Sequence, residues 1–458
     1  MHRDAFCSPS GQTTFFRERY PLTVNHGLTT PRVTFVASAV MLSALLLLLA
    51  GWWAPGCSES SASTPMGAVT SHAASGRPPE TTNSHSPPDV SASVPPGPPS
   101  GGPIPAGALT TLANMTLEQK AAQVLLLTFD GESLVPATRD LLETYPPGGL
   151  LLLGPNIGDM NQLRDLTAAL QRSVATVGAP GLFIAVDQEG GIVRRVTAGV
   201  PSLPSARSLG SDSSPEVARA LALMTGVGLR AQGVNMVLAP VADVVNDPES
   251  FLYERTYGGT PGLVSSFVEA VSYGYVSAGL IAVVKHFPGH GSAPGDSHYG
   301  TPVSDLAAYH YRLIHLAPFR AAFAAGAEGV MMGHFVANAF DPDRPVSLSA
   351  PVIHGLLREE LGFSGLVVSD DLEMGGATGN RTGLGDRASI SELKAAAVAA
   401  LEAGCDLLIS TGRPDRQSAL RTGIVDAVRS GVLPESRLDE AVLRILTLKL
   451  RHSIPIGT

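Results

Sequence analysis

Short apolar runs rich in Leu, Val and Ile recur along the chain from about residue 109 onward: Val124–Asp130, Gly148–Gly154, Leu182–Asp187, Val234–Val244, Ile281–His286, Gly329–Phe335, Gly365–Asp371 and Asp406–Thr411. Each is nearly continuous in its hydrophobicity and too short for a helix, the pattern of a strand covered on both faces. Between them lie segments with apolar residues at helical spacing, among them Asn161–Val177, Ser214–Gly233 and Ser391–Gly404. Eight strands alternating with helices predict a single (β/α)8 barrel of TIM type, with a doubly wound open sheet as the alternative. Asp130, Asp187, Asp243, His286, His334 and Asp370 all fall at the C-terminal ends of their runs. Capping of the next helix would explain any one of them. Their recurrence favours the barrel, whose active sites form at that end.

The first hundred residues follow a different pattern. Arg17, Arg19 and Arg32 precede an uncharged run, Val33–Gly56, long enough to cross a bilayer as a helix, with the basic residues on the cytoplasmic side. From Cys57 to about residue 108 the chain is Ser, Thr, Pro and Gly with almost no large apolar side chains, a composition that cannot bury enough surface to order itself. The expected organisation is therefore an export signal, lipoprotein signal or membrane anchor over 1–57, a linker over 58–108 and a globular domain over 109–458. The run Ala54-Pro55-Gly56-Cys57 resembles the end of a bacterial lipoprotein signal, although Pro55 departs from that pattern. Lipidation of Cys57 competes with an uncleaved span. Either places the globular part outside the cytoplasm, in the cell envelope, with the membrane as a partner.

Composition narrows the chemistry. With 44% hydrophobic residues the chain can build a large core, and its formal net charge of -9, with no dense basic patch, excludes nucleic acid as a partner. Cys7, Cys57 and Cys405 are too scattered for a disulfide framework or a CxxC metal site, and Cys405 reads as a small buried hydrophobe.

The candidate chemistry is densest in KHFPGHGSAPGDSHYGTP, Lys285–Pro302, which carries three histidines and four glycines. Ordering so flexible a segment costs entropy that a plain connection would avoid, so it is read as a site. Asp296 and His298 are one residue apart, and the carboxylate can turn back to hold one ring nitrogen, leaving the other to give or take a proton. Asp370, at the seventh strand end, can serve as nucleophile, base or metal ligand. Asp187, Arg255, Lys285 and His286 form a ring of donors and acceptors suited to a sugar. His334 is expected to line the pocket. The loop Gly375–Ser389 either borders the site or runs over the surface.

Taken together, KHFPGHG followed by DSH, VDQEGG, ERTYGG, SDDLEM, EAGCDLLI and PESRLDEAVLRILTLK resemble, in order over residues 109 to 452, the signature segments of glycoside hydrolase family 3, in particular its N-acetyl-β-glucosaminidase branch. The resemblance implies a retaining, exo-acting enzyme on terminal β-linked N-acetylglucosamine, with glycans of peptidoglycan or chitin type as substrate and without metal or cofactor. It implies Asp370 as nucleophile, Asp296 and His298 as the acid/base dyad, and Asp187, Arg255, Lys285 and His286 as sugar-binding residues. A monomer is expected. A histidine in the acid/base role would not repel an anionic acceptor, so phosphorolysis is an alternative outcome. Three rivals account for the same residues less fully: a β-glucosidase or xylosidase, a non-catalytic sugar-binding lipoprotein, and a metal-dependent hydrolase using His286, His290, His298 and Asp296.

Overall fold

The computed structural model describes residues 104–378 and 388–457; the N-terminal apolar run, Cys57 and most of the Ser/Thr/Pro/Gly-rich tract lie outside them. Packed structure starts slightly before residue 109. A helix spans Ala106–Asn114, buries Ala108 and docks on the C-terminal helix Glu435–Arg451. Its small residues, adjoining the linker, carry too few large apolar side chains to be told apart from it by composition.

Eight parallel strands close into a barrel: β1 Leu125–Leu127, β2 Gly149–Leu152, β3 Phe183–Val186, β4 Met236–Val237, β5 Ile281–Phe287, β6 Gly329–Met332, β7 Leu366–Asp371 and β8 Leu407–Ser410. Each coincides with one of the eight apolar runs, with β5 continuing one residue past its run to Phe287. β1 closes the ring by pairing with both neighbours, Leu125 opposite Leu408 and Leu126 opposite Gly149. Side chains on both faces of these strands are buried, which is why the runs are continuous rather than alternating. Gly149 lets β2 approach β3, because a Cβ there would stand 2.5 Å from the Phe183 carbonyl oxygen. The β4 run is regular for only two residues and then continues to the site, held by Ala242 N–H to Lys285 O at 2.6 Å.

The helices form the outer layer by ordinary amphipathic logic. Met160–Thr176 buries Leu163, Leu166, Thr167, Leu170, Ser173 and Val174, and Asp159 caps it by accepting from the N–H groups of Asn161 and Gln162. Ile390–Ala403 starts with a capping box between Ser389 and Glu392. Two small sheets were not signalled by the apolar pattern: a hairpin of Gln188–Gly190 with Val193–Arg194, and a three-stranded sheet of Val303–Ser304, Val336–Ala337 and Asp341–Pro345. Both lie in loops that follow barrel strands, where strands of two to five residues leave little periodicity to read.

The opposite end of the barrel is held by charge. Asp406, fully buried at the entry to β8, accepts from Arg358 at 2.8 Å, from Arg437 and Arg444 at 3.0 Å each, and from the Val367 N–H. Cys405 beside it is buried. Lys449 is the contrasting case. It is fully buried, donates to Gln123 Oε1 at 2.8 Å, lies 5.1 Å from the Phe183 ring centre and forms no ion pair among the described residues. Burial alone pushes its ammonium down to about 7.

The unfolded chain keeps Lys449 charged to its ordinary value of 10.5, so between the two values the unfolded state binds more protons and stability rises with pH. Lys449→Met removes this titration. In urea unfolding, wild type should therefore gain about 2 kcal/mol on the variant between about pH 7 and about pH 9. A difference that stays constant across that range would contradict a neutral buried amine.

Candidate active site

At the C-terminal mouth of the barrel, Asp370 and Asp371 end β7, and the twofold period of a strand sends their side chains to different surroundings. Asp371 is used up locally: its carboxylate accepts from the Thr411 N–H and Oγ1 and from the Glu373 N–H. Burial still pushes it up to about 6. Asp370 accepts only the Asp371 N–H, at 2.8 Å, among the described residues, so its carboxylate is left for a ligand. Burial opposes its charge, but His286, His334, the Asp371 N–H and Lys285 together hold it below the ordinary carboxylate range. It is therefore ionised near neutral pH, as a nucleophile must be.

Beside it runs a compact charge network. Lys285, on β5, donates to Asp187 Oδ1 at 2.7 Å and to Glu189 Oε1 at 2.6 Å. Arg255 grips Glu189 with two parallel bonds, Nε to Oε2 at 2.8 Å and Nη2 to Oε1 at 2.9 Å. Burial works against the Glu189 carboxylate, yet the two cations win and hold it at about 2. The next residue on β5, His286, places Nδ1 2.7 Å from Asp243 Oδ2 and Nε2 3.5 Å from Arg255 Nη2. Asp243 is fully buried and also takes the Gly291 N–H at 3.1 Å.

The third component is the loop after β5. His298 Nδ1 lies 2.6 Å from Asp296 Oδ1, which also accepts the His298 N–H at 3.0 Å. The imidazole is half-exposed, with Phe251 edge-on at 6.1 Å. Far from floating, the loop is pinned at several points. Asp243 holds Gly291, Val303–Ser304 pairs with Val336–Ala337, and Gly376 N–H donates to Ser297 O at 2.9 Å. Gly375 N–H donates to His298 O, and a Cβ on Gly375 would stand 2.9 Å from the Tyr299 carbonyl carbon, so the approach of these two loops requires glycine. The start of the Gly375–Ser389 loop thus borders the site; residues 379–387 lie outside the described residues.

These parts enclose a cavity of about 370 Å³, lined by Asp187, Arg255, Lys285, His286, His298 and Asp370. Asp296 stands behind His298, in the place of an orienting group. Asp130 is exposed and away from the cavity, because β1 ends three residues earlier and the chain has already turned outward. His334, expected to line the pocket, is instead fully buried beneath Asp370, with Nδ1 2.7 Å from Ser347 Oγ, and does not line the cavity. The imidazoles a metal-dependent hydrolase would need face separate partners: His286 takes Asp243, His298 takes Asp296, and His290 sits among Phe251, Phe335 and His286.

Several site residues were passed over in the sequence. Glu189 follows Asp187 by two, a spacing that puts both on one side of an extended segment and could have flagged it. Arg195 lines the cavity, and its Nε is shut from water with no acceptor among the described residues. Phe251 is four residues before Arg255, with no polar signal to single it out. His290 is buried against the cavity and pushed down to about 4 by that burial, hence neutral.

Comparison with known proteins gives a consistent neighbourhood. The model of the glycosyl hydrolase family 3 N terminal domain matches residues 116–448. A beta-hexosaminidase of Nitrosomonas eutropha is 33% identical over 306 residues, 66% of this chain and 84% of that protein. The solved family 3 beta-N-acetylglucosaminidase of a Paenibacillus species is 38% identical with a TM-score of 0.69, covering 74% of this chain and 63% of that one. A beta-N-acetylhexosaminidase of Beutenbergia cavernae is 28% identical with a TM-score of 0.66, covering 74% of this chain and 99% of that one.

Proposed function

The chain belongs to glycoside hydrolase family 3 and is a glycoside hydrolase, and from that premise we propose that it is a retaining, exo-acting β-N-acetylglucosaminidase. Its substrates are terminal β-linked N-acetylglucosamine residues on peptidoglycan- or chitin-type glycans. The observation that carries the reading is one cavity with two unlike ends: an ionised, sparsely bonded Asp370 at the bottom and a half-exposed His298, held by Asp296, at the rim. Relatives and neighbours named for hexosaminidase and N-acetylglucosaminidase activity support the sugar. The apolar run at Val33–Gly56 supports an envelope location, where such glycans lie.

In this mechanism Asp187, Lys285, Arg255 and His286 take the sugar hydroxyls. An Asp370 oxygen bonds the anomeric carbon as the bond from that carbon to the leaving oxygen breaks. Protonated His298 gives its proton to that oxygen. The imidazole, now neutral, takes a proton from water, whose oxygen displaces Asp370 and frees the sugar in its starting configuration. Asp296 orients the ring and stabilises its charged form, the part an aspartate plays in other histidine-based sites.

The reading is tested by release from chromogenic β-N-acetylglucosaminide and β-glucoside side by side, where the first should be the better substrate and Asp370→Ala should lose at least about 10³-fold in kcat. A slow fluorinated glycoside should label Asp370 covalently; labelling of Asp371 would overturn the assignment. His298→Ala should cost about 10²–10⁴-fold on substrates with poor leaving groups and far less on activated aryl glycosides. With the latter, glycosyl-enzyme should accumulate and azide should restore turnover as a β-glycosyl azide. Equal losses on both classes, with no rescue, would make His298 a binding residue.

A further inference from the structure

Asp243 stands one layer behind the sugar-binding wall and is not among the residues lining the site cavity. Its carboxylate is fully buried and takes three donors among the described residues: the backbone N–H and the Nδ1 of His286 on Oδ2, at 3.3 and 2.7 Å, and the Gly291 N–H on Oδ1, at 3.1 Å. On the far side of the same imidazole, Nε2 lies 3.5 Å from Nη2 of Arg255, and both residues line the cavity. A guanidinium only donates, so Nε2 can meet it only as an acceptor, and the ring proton must then sit on Nδ1. A buried carboxylate at 2.7 Å from Nδ1 imposes that arrangement.

We propose that Asp243 is a positioning residue for the reaction: it fixes His286 in the Nδ1–H tautomer, so that the Nε2 lone pair accepts from a hydroxyl of the bound sugar. The inference rests on the reading of His286 as a sugar-binding group. It assigns the carboxylate's effect to the floor of the site and not to the loop, even though the other oxygen holds Gly291 at the start of the segment that carries Asp296 and His298. Asparagine at 243 keeps the size but presents an N–H where the carboxylate accepted. The proton then moves to Nε2, which faces Arg255 donor to donor and can no longer accept from the sugar.

Asp243→Asn, His286→Gln and the double variant separate the possibilities, measured with one activated and one unactivated N-acetylglucosaminide. Asp243→Asn alone should lower kcat/KM by about 10²-fold, to the same degree on both substrates, because the affected contact is to the sugar and not to the leaving group. In the His286→Gln background the same substitution should cost less than about threefold, the two residues acting as one unit. A full independent loss in that background overturns the inference. So does a loss confined to the poor leaving group, which would assign Asp243 to the loop and the dyad. Full activity of His286→Gln by itself would remove the sugar-binding reading and the inference with it. Should Asp243→Asn fail to fold, nitrogen-15 NMR of the wild-type enzyme decides: His286 Nε2 should give the signal of an unprotonated ring nitrogen, and a protonated Nε2 with bare Nδ1 is the contrary result.

Discussion

The site depends on a carboxylate in the cavity wall whose two oxygens are both committed to neighbouring cations. Glu189 is nearly inaccessible, and a single unpaired charge in such a place would cost several kcal/mol. It is stable only because Lys285 and Arg255 both close on it, and they in turn are stable only because Glu189, with Asp187, balances them. Four formal charges sum to zero in a volume that excludes most water. The consequence is rigidity. Neither cation can swing away without leaving the other half uncompensated, so their remaining donor directions are held for a ligand before one arrives, which is how preorganised polar sites favour binding.

Against that rigid floor the proposed acid/base group is wet. His298 is half-exposed while Asp370 is half-buried within the cavity, and the difference suits the roles proposed for them. A nucleophile gains from being stripped of water, whereas an acid/base group must exchange protons with a departing alcohol and then with an incoming water. The loop reconciles exposure with precision through bonds to its backbone from Asp243 and Gly376, with Asp296 fixing the ring.

Much of this was legible in the chain. All eight strands lie where the apolar runs fall, because strands covered on both faces need unbroken hydrophobic stretches and leave an obvious trace. Six of the seven nominated site residues line one cavity and the seventh, Asp296, backs it. What escaped notice shares a physical cause. Glu189 acts through Lys285, 96 residues away, and Asp243, noted only as a strand-end carboxylate, acts through His286, 43 residues away; no local pattern encodes such pairings. His334 misled for the converse reason: a strand end places a side chain near the mouth, but whether it points to the cavity or beneath it depends on packing against Ser347. The small sheets that pin the loops are too short to show a period at all.

The central claim is that a carboxylate at the bottom and an imidazole at the rim act in turn on the same face-to-face displacement, which requires two inversions at one carbon. The direct measurement is the anomeric configuration of the sugar at the moment of release, followed by proton NMR with enough enzyme to outrun mutarotation. The β-anomer of N-acetylglucosamine should appear first and the α-anomer only later, at the rate of spontaneous equilibration. Initial appearance of the α-anomer would mean a single displacement by water, and Asp370 would then be a base and not the nucleophile.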